Sequence, residues 1–170
     1  MCAARRAATL PARGVYQGVA TARSRVTASR PVLVAHYATS SDYDGNPNAD
    51  PFMALVQATR HYSLAYIVCT PTNDFPTNYV QLVVPVTVTN NMRLDGAVID
   101  PALFQPFPSG GYAVANVPVQ PGHHIIIGDA PFGVLTYGWA LYDSYGHPGC
   151  FYFGDVLPPR VTSSLTHVTL

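Results

Sequence analysis

Four of the six histidines, His61, His123, His124 and His147, stand in a chain that also offers Asp129, Asp143 and Cys150. Metal sites and acid-base centres are built from these residue types. Their spacing works against both. His123 and His124 are adjacent in Gly122-His-His-Ile-Ile-Ile127, which reads as a short strand, so their side chains point to opposite faces and cannot share a site without distortion. Ser144, His147 and Asp143 supply the members of a nucleophilic triad, but they crowd into one expected turn, whereas triads are assembled from dispersed positions. No G-x-S-x-G, H-E-x-x-H or phosphate-binding glycine loop occurs. The expectation is a chain with no catalytic residues, no metal and no cofactor.

Two further groups have chemical potential. Asp42, Asp44, Asn46, Asn48 and Asp50 place oxygens at alternate positions, as calcium loops do, but Pro47 occupies the place that needs glycine and Met53 the place that needs a bidentate glutamate. A plain turn-rich loop is the better reading. Cys2, Cys69 and Cys150 are odd in number and fall in no zinc spacing. Cys69 and Cys150 are either bridged or, as the favoured alternative, two buried free thiols.

The elements that must carry these residues are strands. Every basic residue is arginine and every acidic one aspartate, and the strong helix formers Lys and Glu are absent, while Tyr, Val, Thr, Pro and Gly abound. A chain of 170 residues that is 48% apolar has room for one domain with a real core. Its zero net charge argues against a basic footprint for nucleic acid, and no apolar run reaches the roughly 18 residues of a membrane span. The expected fold class is all-β, an antiparallel β-sandwich or barrel-like module, with a β-propeller fragment as the alternative.

Residues 1 to 30 carry Arg5, Arg6, Arg13, Arg23, Arg25 and Arg30 and no acidic residue. This has the composition of a mitochondrial transit peptide. The abrupt start of the β pattern at Pro31 favours instead a truncated or misassembled leader with little packed structure. The domain is expected over 31 to 157, followed by a Ser/Thr-rich tail over 158 to 170. Pro31 to Ala38 reads as a buried strand, Phe52 to Thr59 and His61 to Thr70 as two strands joined near Arg60, and Asn78 to Thr87 as a strand whose Pro85 belongs at an edge or bulge. Asp95-Gly96 predicts a type I′ hairpin turn. Pro101 to Phe104 suits one helical turn, and Tyr112 to Val119 a strand that turns at Pro121-Gly122.

The densest pattern follows. Gly122 to Gly149 reads as a short strand, a turn at Gly128-Asp-Ala-Pro131, a long strand from Phe132 to Tyr142 that is apolar on both faces and therefore covered twice, and a second turn around Tyr145 to Gly149. Gly133 and Gly138 mark bulges or close approaches. In Asp143-Ser-Tyr-Gly-His-Pro-Gly149, Tyr145 and His147 offer a recognition loop, but the favoured reading is structural, with Asp143 capping a turn and Tyr145 packing back on the sheet.

Val117-Pro-Val-Gln-Pro-Gly-His-His124, Asp129-Ala-Pro-Phe-Gly-Val134, Tyr137-Gly138 and Asp143-Ser-Tyr-Gly-His-Pro-Gly149 resemble the N-terminal domain of IgGFc-binding proteins. Arg30-Pro-Val-Leu-Val-Ala35, Asp50-Pro-Phe-Met53, Asn78-Tyr79 and Leu94-Asp-Gly96 agree in the same order. The resemblance covers roughly residues 30 to 150 and looks like the C-terminal part of that domain. It implies a secreted or surface-exposed, non-catalytic β module of mucus-associated and adhesion-type proteins, binding a protein or glycoprotein such as immunoglobulin Fc or a mucin. Cys150 departs from the family's usual Gly. The strands that should precede Pro31 are replaced by the leader, which would leave a sheet edge exposed. The alternatives are a structural β spacer within a longer chain and, more distantly, a hydrolase-like or metal-dependent enzyme.

Overall fold

A computed structural model describes residues 8–20, 22–40, 43 and 50–151. Among them the regular structure is β, with three short 3-10 turns at Thr59–His61, Val86–Asn91 and Pro101–Leu103. The strands are β1 (Ala35–Tyr37), β2 (Met53–Leu55), β3 (Ser63–Thr70), β4 (Thr77–Pro85), β5 (Arg93–Leu94), β6 (Ala97–Val98), β7 (Gln105–Pro106), β8 (Tyr112–Val119), β9 (Gly122–Ala140) and β10 (Asp143–Pro148). Every pairing is antiparallel.

One strand organises the rest. The first half of β9 pairs with β3 and β5, and the second half with β10 and β4. β4 in turn pairs with β8, and β8 with β7. The sheet curls into a half-barrel, because the inward side chains of both halves meet in one core. Tyr66 and Val68 from β3, Ile126, Phe132 and Val134 from β9, Val80, Leu82 and Val84 from β4 and Ala113, Ala115 and Val117 from β8 form that cluster. Alternation supplies it: the even residues of β4 are buried and the odd ones half-buried. Each wholly buried Val, Leu, Ile or Phe contributes about 1.5–3 kcal/mol, which outweighs any local preference of these short strands.

The expected turn at Gly128–Pro131 is absent, and β9 runs unbroken for 19 residues. None of these four residues has positive φ. Gly128 is needed for room, since a Cβ there would lie 2.7 Å from Met92 Sδ. Pro131 falls between the pairs that end at Ile127 and those that begin at Phe132, so its missing N–H costs no ladder bond. The second expected turn is also displaced. Asp143–Pro148 is a strand, and the chain reverses at Leu141-Tyr142, where Tyr142 adopts φ +55°. Phe132 to Ala140 is buried or half-buried on both faces as expected, but Leu141 and Tyr142 are exposed.

The first strand is likewise different. It covers only Ala35–Tyr37, pairs with β2 as a separate ribbon, and is exposed at all three residues rather than buried. Pro85 closes β4 beyond the last β4–β9 pair, Val83 with Gly133, and so sits at the end of a central strand. Asp95 and Gly96 have φ of 52° and 83°, the hairpin turn read from the sequence. Residues 22–34 and 8–20 are almost wholly exposed and contain no strand.

Candidate interaction surface

The structure does not gather the histidines. His123 points outward from β9 and is exposed, whereas His124 is buried on the other face, as their adjacency requires. His61 lies beside the Arg60 guanidinium, 3.0 Å from its Nε, and His147 stacks on Tyr145. Asp129 accepts a 2.7 Å hydrogen bond from Asn91. Asp143 and His147 share one face of β10 and Ser144 the other, so the three cannot form a relay. The Asp143 carboxylate instead accepts from the Ser144 N–H. Among the described residues no group of three or more His, Cys, Asp or Glu is placed to hold a metal ion. Asp42, Asp44, Asn46 and Asn48 lie outside the described residues. Cys69 and Cys150 are free thiols, and both are exposed rather than buried.

His124 does have a partner, one that the spacing did not suggest. Its Nδ1 lies 2.7 Å from Asp95 Oδ2, and its Nε2 lies 2.7 Å from the Gln120 carbonyl. Asp95 Oδ1 accepts from the Ile125 N–H at 2.8 Å, and the Asp95 N–H donates to the Ile125 carbonyl. The hairpin turn is thereby fastened to β9. The His124 hydrogen bond, then that from Ile125, holds the Asp95 carboxyl below the usual carboxylate range. The arrangement is a clamp, not a reactive pair. Its only sequence signal was the turn aspartate, which needs a second role once its backbone is fixed.

Aromatic side chains cover the outward face of the second half of β9. Tyr79 stacks on Tyr137 at 5.3 Å, Trp139 meets Tyr137 edge-on at 4.9 Å, and Phe52 from the ribbon stacks on Tyr137 at 6.1 Å. Burial pushes the Tyr137 hydroxyl up to about 12. Gln57 Nε2 lies 3.0 Å from the Tyr66 hydroxyl and within hydrogen-bond distance of the His61 and Cys150 carbonyls, three acceptors for its two N–H donors. Tyr66 donates to the Phe132 carbonyl at 2.6 Å and accepts from the Ser63 N–H. Tyr145 donates to Asn78 Oδ1 at 2.6 Å and meets Phe75 edge-on, so it packs back on the sheet. The cleft between ribbon and sheet, lined by His36, Gln57, Tyr62, Gln81 and Gly133, measures about 70 Å3. Pockets for organic ligands run to roughly 300–1,000 Å3, so this one is too small.

The first half of β9 presents the opposite situation. Its outward residues His123, Ile125 and Ile127 lie beside Cys69, Ile67 and Ala65 of β3, and Arg93 of β5 separates Ile127 from Val98 of β6. Ile67 is 72% exposed, Val98 51%, Ile127 48% and Ile125 44%. Among the described residues no aromatic ring lies over these side chains as it does over the second half. An open face of β-branched residues on a rigid sheet is the kind of patch that marks protein contacts. The sequence concealed it, because the uninterrupted Ile125-Ile126-Ile127 gives no polar alternation to say which side is wet. A second exposed apolar feature is the Leu141-Tyr142 hairpin tip, 65% and 70% exposed.

No helix of the described residues is long and apolar enough to cross a membrane. No curated protein and no solved structure matches the chain. A family model does, the one described as IgGFc binding protein, over residues 3–138. The match starts upstream of the stretch from 30 to 150 that carried the resemblance, inside the Arg/Ala segment, and stops within β9. Since it spans most of the sequence, the chain belongs to the IgGFc-binding protein family.

Proposed function

We propose that this chain is an extracellular, non-catalytic module that binds a protein or glycoprotein, with the Fc part of immunoglobulin G and mucins as the ligands to test first. The family membership supports a binding role. The observation that carries the surface is the open isoleucine face of Ile67, Ile125, Ile127 and Val98, which the fold holds rigid on paired strands. Binding there needs no group to ionise or react. It rests on apolar burial, with His123 and Arg93 as the polar groups at hand. The binding unit would be residues 31 to 157, with 1 to 30 as a leader and 158 to 170 as a tail.

The experiment is direct. The chain is immobilised and titrated with Fc fragment and with purified mucin. Saturable binding is expected, and Ile125→Asp should weaken it at least tenfold while the melting temperature stays near that of the parent. Absence of saturable binding to both ligands, or binding indifferent to Ile125→Asp, would overturn the reading.

A further inference from the structure

Among the described residues β3 is hydrogen-bonded along one side only. Its pairs all run to β9, and no described strand lies on its other side. The sequence of that edge is Ser63-Leu-Ala-Tyr-Ile-Val-Cys-Thr70, without a charged residue, a proline or a glycine. Sheets blunt their free edges with charges, prolines, bulges or short strands. Here the one such device is an irregularity between Ser63 and Ala65, which leaves Ala65 to Thr70 regular and unguarded.

We propose that this edge is a self-association site, at which two copies of the chain pair antiparallel, β3 against β3, and continue the sheet across a two-fold axis. The edge is self-complementary. Residues opposite one another in a continuous sheet must face the same way, and a dyad centred on Ile67 meets that condition from Ala65 to Cys69. It sets Ile67 against Ile67 of the second copy, Ala65 against Cys69, and Tyr66 against Val68. The outward members of these pairs are exposed and the inward ones already belong to the core. No like charges meet, and the chain's zero net charge offers no long-range repulsion. A foreign strand would find the same backbone groups, but only a second copy brings a matching row of Ala, Ile and Cys. Pairing would also join two isoleucine faces into one band, although self-association stands independently of any ligand.

The test uses the full chain without ligand. Sedimentation velocity across the micromolar range should show a reversible monomer–dimer equilibrium. Ala65→Lys, at an exposed position facing the partner's Cys69, should raise the dimer dissociation constant at least tenfold without lowering the melting temperature. Register is tested by cross-linking in a Cys2→Ser, Cys150→Ser background, where adding Ala65→Cys with Cys69 retained should give a disulfide-linked dimer under mild oxidation. Adding Cys69→Ser to that variant should abolish the link. A chain that stays monomeric throughout, a dimer indifferent to Ala65→Lys, or cross-linking that persists without Cys69 would each overturn the proposal.

Discussion

His124 and Asp95, 29 residues apart, meet at 2.7 Å and fasten a hairpin turn to the central strand. Asp95 holds φ +52°, which Asn also tolerates, so Asp95→Asn keeps the turn while placing an amide where a carboxylate accepts. The Asp95 side chain is 48% exposed, so the expected loss is only about 1 kcal/mol, read from thermal or urea melting. The lowered Asp95 pKa fixes the pH sign. The contribution is present above the ordinary carboxylate range and disappears as pH falls through the folded-state value, so parent and variant should converge in acid.

Gly138 lies under three neighbours, Tyr145, Thr77 and Asn78. A Cβ there would stand 2.5 Å from the Tyr145 ring and 2.7 Å from the Thr77 carbonyl oxygen, and the second cannot swing aside. Gly138→Ala should cost about 1–3 kcal/mol and disturb the Tyr145 to Asn78 hydrogen bond. Denaturant midpoints measure the first effect, and the ultraviolet titration of tyrosine the second.

Alkali should unfold the protein through its tyrosines. Burial raises the hydroxyls of Tyr62, Tyr66, Tyr137 and Tyr145 above the ordinary value of 10.0, the last two to about 12. A raised folded-state pKa means that the contribution is whole below pH 10 and is lost as pH climbs through the folded values. Stability should therefore fall between about pH 10 and 12. Circular dichroism melts at fixed pH would show it, and flat melting temperatures across that window would contradict it.

Tyr142 occupies the left-handed region at an exposed hairpin tip, a conformation that costs a side chain about 1–2 kcal/mol. Tyr142→Gly should raise the melting temperature by a few degrees. If the measured change is a loss, the ring makes a stabilising contact that offsets the backbone strain.

Legibility in the sequence followed distance along the chain. The Asp95-Gly96 turn and the strand from Tyr112 to Val119 were plain, because a two-residue turn and an eight-residue run are decided by their own residues. Gly128-Asp-Ala-Pro131 misled, since the glycine makes room for Met92 and the proline fills a gap between two sets of pairs, both facts about distant residues. The open isoleucine face and the Asp95–His124 clamp were hidden for the same reason. Each depends on the register of β5 and β3 on β9, which nothing local encodes.

β9 belongs to both halves of the sheet, and the family match ends two residues before that strand does. A recombinant fragment cut at the match boundary would forfeit Trp139, Ala140 and β10, strip Asn78 of its tyrosine donor and leave the seam along Leu135 to Gly138 bare. Anyone preparing the protein for crystals or assays is better served by carrying the polypeptide through Phe151, so that the spine keeps neighbours on both flanks.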